Sequence, residues 1–473
     1  MTDDAPALFL RRAEVYAVGT SDCRIQDGVI AQLGRGLREQ PGDMVIDVRG
    51  GALIPGLADH HLHLAAMAAH DQSFDLTGRS PDLALALLDC HPDENGWIRI
   101  VGYDDVTHGE LDRYRLDALT GDVPTRVQHR SGALWVVNTA AASRLEVAEA
   151  AHPGIERDGE GAPTGRLWRA DHWLSDAVAR SQPRRRRLSL RTVGQRLAAY
   201  GVTHVADATP GATHLGLVTD AVVAGAVEQH VLLMAAEAQP HPHPRLRVGP
   251  VKLVVSDHEP LDLHGLVEQI RRAHATSRPV AIHCVTRAAL TLTLAAFDLA
   301  GRTRGDRIEH AAVAGHELIA RMAKRDLTVV TQPSLVTRRG DDYWHRSDPE
   351  DRDDLWPYAS LLDAGVRAAP SSDAPYGDAD PWATLAASST RKTQSGRVLG
   401  ADERVGAEVA LGGMLSALDD PGGPLRAISV GAPADVVVLD RPLAEALEAP
   451  DKSCVRLTLI GGRIVHDASN AMS

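Results

Sequence analysis

The stretch from 202 to 371 most constrains what this chain can fold into. Short apolar runs at 202–208, 231–238, 251–256, 280–285, 307–311, 327–331 and 366–371 alternate with segments of helical period. Between the third and fourth runs, for example, Leu263, Leu266, Val267 and Ile270 recur at the spacing of one helix face. An eighth apolar run near the start, Ala52-Leu53-Ile54-Pro55-Gly56-Leu57-Ala58, leads into Asp59-His60-His61-Leu62-His63. Parallel strands need long crossovers, and helices supply them. Eight strands with intervening helices predict an α/β chain built as a distorted (β/α)8 TIM barrel. In such barrels the chemically active side chains stand at the C-terminal ends of strands.

The two ends of the chain have a different texture. Residues 7–55 read as short strands broken by turns, and strand-rich runs return at 434–440 and 455–465. These predict one composite β-sandwich domain from 1–55 and 405–473, flanking a barrel over 56–404. The segment 67–195 is too long for a plain connection after the first barrel strand. It predicts an inserted lid or subdomain over the barrel mouth.

Composition narrows the function classes. With 44% hydrophobic and 24% charged residues, the chain reads as an ordinary globular protein. A formal net charge of −13 argues against nucleic acid as a partner. The run Arg184-Arg185-Arg186-Arg187 reads as a solvated helix start, and the His-Pro repeat at 241–244 as a stiff loop. Four scattered cysteines, with no CxxC pair, suit a reducing compartment. No signal-peptide pattern or membrane-length apolar run appears, so a cytoplasmic protein without membrane partners is expected. The sequence has no GxSxG elbow, P-loop or dinucleotide GxGxxG, which removes the serine-hydrolase and nucleotide-binding readings.

What remains is a set of ligand-type residues at strand ends. Residues i and i+2 of a strand share a face, so His61 and His63 can aim two imidazoles at one point. Two such nitrogens, at about 2.0–2.1 Å from zinc, make half of a tetrahedral site. Lys252 stands inside the apolar run Val251-Lys252-Leu253-Val254-Val255, where an unpaired ammonium is costly. It either snorkels to the rim, pairs with a carboxylate, or is carbamylated and bridges two metals. The fifth strand carries His283, the sixth ends in Arg307-Ile308-Glu309-His310, and the eighth leads into Ser372-Asp373-Ala374-Pro375. Each histidine alone has a plain structural reading, and Asp373 could cap a helix. Four histidines and an aspartate at one end of the strands form a metal site.

Ile54-Pro55-Gly56-Leu57-Ala58-Asp59-His60-His61-Leu62-His63, Val251-Lys252, Ala281-Ile282-His283, Arg307-Ile308-Glu309-His310 and Ser372-Asp373-Ala374-Pro375 together resemble the amidohydrolase superfamily, and within it the type-3 branch. Pro163-Thr164-Gly165, Gly201-Val202-Thr203, Thr331-Gln332-Pro333 and Gly431-Ala432-Pro433-Ala434-Asp435 fit the same pattern. The resemblance implies a one- or two-metal hydrolytic centre, with zinc the default divalent metal. It implies that His61 and His63 bind the more buried metal, with carbamylated Lys252 bridging. His283 and His310 would hold the more exposed metal, and Asp373 would ligate and transfer protons. The implied function is hydrolysis of a C–N bond in a small molecule: an amide, a cyclic amide, or an N-acyl or N-formyl amine. A homodimer is common among similar proteins.

Two departures fall in the substrate region. Where relatives often show Asp-Gly after the lysine, this chain has Ser256-Asp257-His258. Where the insertion usually holds Asp-Gly-His before Val-Asn, it has Ser131-Gly132-Ala133 before Val137-Asn138-Thr139. The aromatic, charged segment 338–345 after the seventh strand reads as a loop, either lining the pocket or solvated. Two alternatives remain: a one-metal aminohydrolase (deaminase) of a heterocycle, and a non-catalytic scaffold. The first expects a Glu three residues after His283, where Thr286 stands; the second expects lost ligands, and all six candidates are present.

Overall fold

The computed structural model describes residues 6–181, 188–255 and 261–469, so the arginine run at 184–187 and Ser256-Asp257-His258 lie outside the described residues. The chain divides into two compact units: one runs to Ala65 and resumes at Leu190, the other comprises Ala66–Ser189.

In the first unit, the apolar runs form two parallel sheets. Leu246–Val248, His230–Leu233, Val202–Asp207 and Leu57–Leu62 lie side by side in one. Val251–Val254, Val280–Cys284, Arg307–His310, Thr328–Thr331 and Ala368–Pro370 form the other. Helices such as Leu263–Ala275 and Arg287–Ala300 connect successive strands of the second sheet. The architecture is α/β, as expected, and among the described residues the strands form two separate parallel sheets whose ladders do not join into one closed barrel. The break falls at Pro250, which has no N–H to give to a neighbour and separates Leu246–Val248 in one sheet from Val251–Val254 in the other. Single backbone hydrogen bonds cross the flanks. Lys252 N donates to Met234 O at 2.8 Å, Asp373 N to His61 O at 2.8 Å, and His63 N to Ala374 O at 2.9 Å. Gly56 leaves room beside the next strand, where any Cβ would meet the Thr203 side chain at 2.2 Å.

The segment 338–345, read as a loop, instead belongs to helix Pro333–Arg346. Pro333 opens the helix at its first turn, and Leu335, Val336 and Gly340 face inward while the charged residues face out. Gly340 permits a close approach, since a Cβ there would meet Thr393 Cγ2 at 2.5 Å.

Both ends of the chain enter one eight-stranded sheet. Its order is Arg463–Asp467, Val455–Ile460, Val436–Leu439, Ala52–Pro55, Leu8–Val15, Gly19–Gln26 and Val29–Gly34, with Met44–Asp47 pairing to Leu8–Val15. Helix Leu190–Ala199 belongs to this unit and buries Val193 and Leu197. The second unit ends at Ser189, where the first resumes.

The second unit is built on a mixed six-stranded sheet, ordered Ile155–Arg157, Pro163–Trp168, Leu134–Val137, Thr125–His129, Ile98–Tyr103 and Phe74–Asp75. Trp97, Trp135, Leu167 and Leu174 pack together in one of its two apolar cores. Asn138 caps the helix Thr139–Arg144, its side-chain oxygen accepting from Ala141 N at 2.9 Å. Among the described residues, no helix is long and apolar enough to cross a membrane. All four cysteines are free thiols.

Candidate metal centre

His61 is the fifth residue of strand Leu57–Leu62, and His63 follows the strand. Their rings lie 5.4 Å apart, and their ring nitrogens together with an Asp373 oxygen stand within 4.8 Å of one another. His63 Nε2 is 3.2 Å and His61 Nε2 3.5 Å from Asp373 Oδ1. Lys252 Nζ lies 3.4 Å from His61 Nε2. The ring of His310 is 5.0 Å from that of His61 and 4.5 Å from that of His283. The structure thus brings all six sequence-indicated residues into one contiguous group. The adjacent His60 turns the other way, its Nε2 3.0 Å from Gly413 O, and burial pushes its pKa down to about 3.

The hydrogen bonds behind the group decide what it can hold. The Gln332 amide nitrogen donates to Val330 O at 3.2 Å and to Ser371 Oγ at 3.0 Å, so its oxygen is the acceptor for His310 Nδ1 at 2.7 Å. His310 Nε2 therefore carries a lone pair, and it is buried with no hydrogen-bond partner among the described residues. His61 Nδ1 is held in the same way by the Glu309 carboxylate, which also accepts from Arg307 Nε at 2.6 Å. His63 Nδ1 contacts Thr209 Oγ1 at 3.1 Å. A histidine whose far nitrogen is tied to a carboxylate or amide oxygen is oriented as a metal ligand. An orphaned buried nitrogen beside two imidazoles and a carboxylate fits a divalent cation.

Electrostatics agree. Burial, together with the neighbouring Lys252 charge, pushes the His61 imidazole down to about 3 and keeps it neutral. Burial favours the neutral acid at Asp373, but the hydrogen bond with His63 and the surrounding histidines hold it well below the usual carboxylate range. At Glu309 burial is likewise outweighed, by Arg307 and His61. Burial lowers the Lys252 ammonium, against the opposing charges of Glu309 and Asp373. Asp59, which accepts from His61 N at 3.1 Å and Ser372 N at 3.3 Å, is pushed up to about 6 by burial. Backbone in the left-handed region also gathers here, at His310 (φ 73°), Ala311 (φ 49°) and Asp373 (φ 53°). Asp373 caps no helix; the following helix Pro381–Thr390 is capped by Asp380.

Sequence reasoning did not single out Glu309, Gln332, Thr209 or Asp59. The signal for Glu309 was present in Arg307-Ile308-Glu309-His310, because two opposite charges two residues apart in a buried strand need partners. Gln332 and Thr209 had no such signal, since their roles depend on loops meeting across the strand ends.

A second group has the same composition. His204, His230 and Asp435 bring their ligand atoms within 4.8 Å of one another. Their rings stack at 4.6 Å, and His230 Nε2 lies 3.1 Å from Asp435 Oδ2. Here Arg426 Nη1 donates to His204 Nδ1 at 2.8 Å, so in the neutral ring the proton sits on Nε2.

Comparison with known proteins agrees with this geometry. A model of the amidohydrolase family matches residues 44–466. An N-substituted formamide deformylase from Arthrobacter pascens is 27% identical, over 85% of this chain and 85% of that protein. Among solved structures, a metal-dependent hydrolase of unassigned activity from Pyrococcus horikoshii superposes with a TM-score of 0.73. It is 19% identical and covers 97% of this chain and 100% of that one. An N-isopropylammelide isopropylaminohydrolase from Burkholderia multivorans superposes at 0.54 with 18% identity, covering 97% of each chain.

Proposed function

The chain belongs to the amidohydrolase family and is a hydrolase of carbon–nitrogen bonds, and from that premise we propose that it hydrolyses an N-formyl or N-acyl amine or a cyclic amide at the His61–His63–Asp373 centre. The observation that carries this reading is the tautomer pattern. His61 Nδ1 and His310 Nδ1 are both engaged with acceptor oxygens, which leaves Nε2 lone pairs in a buried pocket beside Asp373. The deformylase relative supports the formamide end of this range.

His61, His63, His283, His310 and Asp373 would hold a divalent metal, with zinc the default and one or two ions per chain. When bound, such a metal polarises a carbonyl oxygen and lowers the pKa of water from 15.7 to about 7. Asp373 does the proton work: kept ionised, with Oδ1 3.2 Å from His63 Nε2, it accepts a proton from the attacking water and passes it to the departing nitrogen. Glu309 and Gln332 keep His61 and His310 in register. Lys252 would join the ligand set as a carbamate, formed when its neutral amine adds to carbon dioxide with loss of a proton. Its burial and lowered pKa support this, and 13C NMR after 13C-bicarbonate exchange would detect the carbamate carbon.

We read the two parallel sheets as halves of one distorted (β/α)8 barrel, supported by the hydrogen bonds at Lys252, Asp373 and His63 that cross their flanks. The four free cysteines support a cytoplasmic setting. The deaminase alternative is disfavoured, because Thr286 caps the helix Arg287–Ala300 where a ring-protonating acid would be needed. The test is a panel of N-alkylformamides, N-alkylacetamides and cyclic amides with the metal-loaded protein, reading amine release. Turnover of a formamide or acyl amine is expected. Ammonia from an aminoheterocycle, with no amide turned over, would contradict the proposal.

A further inference from the structure

We propose that Trp356 is a substrate-specificity residue of this centre, its indole N–H held unpaired for a hydrogen-bond acceptor on a neutral, apolar amide. The inference rests on the hydrolase reading above and adds a residue and a substrate character to it. Trp356 is 3% exposed, and its Nε1 is buried with no hydrogen-bond partner among the described residues. Buried tryptophan N–H groups normally find an acceptor, and leaving one unpaired destabilises the fold. The ring stands perpendicular to that of His310, with centroids 6.3 Å apart, and 5.6 Å from the ring of Tyr343.

A second strain falls on the same residue. Its φ is 53°, in the left-handed region that a bulky aromatic rarely adopts. The frame around it holds that conformation. Trp356 N donates to Ala312 O at 2.8 Å, and Val313 and Leu355 pair as an isolated bridge. Arg391, 1% exposed, donates to Trp356 O at 2.9 Å, Leu355 O at 3.0 Å and Leu399 O at 2.6 Å. An unsatisfied donor and a strained backbone, both over-determined by their surroundings and both beside a ligand-type histidine, are the pattern of a functional position. The apolar cluster packed around it includes Val285, Ala312, Leu335, Leu355 and Leu399, and the buried Arg391 guanidinium beside it is engaged with three backbone carbonyls. One donor in an apolar wall selects a neutral group with one acceptor, and the carbonyl oxygen of the amide is the acceptor every such substrate has.

The test compares wild type with Trp356→Phe, which removes the N–H and keeps an aromatic ring. Both metal-loaded proteins are assayed on N-butylformamide and N-butylacetamide, with metal content and Tm measured alongside. The expected result is a kcat/KM at least tenfold lower, chiefly through KM, with metal content unchanged. Tm stays equal or rises, because an unpaired buried donor has gone. Unchanged kcat/KM overturns the inference. So does a variant that fails to fold, or one whose Tm falls by several degrees, since either makes Trp356 a structural support. Wild type that binds metal yet turns over neither amide removes the reading on which the inference stands, whatever the variant does.

Discussion

The outer ends of the parallel strands carry His61, His63 and Asp373, while His204 and His230 sit near the start of neighbouring strands beside Asp435. The two groups match in residue type and in the 4.8 Å span of their ligand atoms. They differ in what stands behind the imidazoles. At the first, acceptors take the Nδ1 proton: Glu309 for His61, Gln332 for His310 nearby. At the second, a guanidinium donates to His204 Nδ1 and so places the proton on Nε2, the nitrogen that faces Asp435. Asp435 is also committed elsewhere, accepting from Gly461 N at 2.7 Å. The first group presents lone pairs to a cation; in the second, the lone pair of His204 Nδ1 is already taken by Arg426, and Asp435 is shared between His230 Nε2 at 3.1 Å and Gly461 N. Counting histidines and carboxylates does not separate them; the donor or acceptor character of the next layer does.

That contrast can be broken in several ways. The largest effect is expected at Asp373: Asp373→Asn should lower kcat by about 10²–10⁴ while metal is retained at least in part. Steady-state kinetics and metal analysis check it, and a fall below threefold would remove Asp373 from the proton path. Next is the backing carboxylate. Glu309→Gln should weaken metal affinity by about 10–100-fold, measured by competition with a chelator. Removal of metal should lower Tm, by an amount that grows with free metal during refilling, because the cation binds only the folded site.

The smallest effect belongs to the second group. Burial, aided by the Arg426 charge, holds the folded pKa of His204 well below its ordinary value of about 6.5. The unfolded chain therefore takes up a proton below that pH and the folded chain does not. Stability is fully present above about 6.5 and is lost on acidification, at up to about 1.4 kcal/mol per pH unit. His204→Gln should flatten the fall of Tm between pH 6.5 and 5, while metal content and kcat/KM stay at the wild-type level. An unchanged slope would mean that His204 titrates normally in the fold.

How much of this was readable in the chain follows the same division. Alternating periods and apolar strands made the α/β class legible, and His61, His63, Lys252, His283, His310 and Asp373 were legible as ligand types at strand ends. Strand Leu246–Val248 was not legible, because Arg245 and Arg247 interrupt its apolar pattern and it is only three residues long. Helix Pro333–Arg346 was hidden by its charge, since only Leu335, Val336 and a few small residues mark its inner face. Gln332, Thr209 and Trp356 were illegible for a different reason. Their roles come from loops that meet only after the strands are in place, and no spacing in the sequence encodes that meeting.

The most direct test of the central claim is metal content per chain, on protein purified without chelator and then refilled with zinc, for wild type, His61→Ala and His204→Ala. The account predicts one or two metals in wild type, loss in His61→Ala, and the wild-type value in His204→Ala. Metal retained by His61→Ala and lost from His204→Ala, or no metal in any of the three, would contradict it.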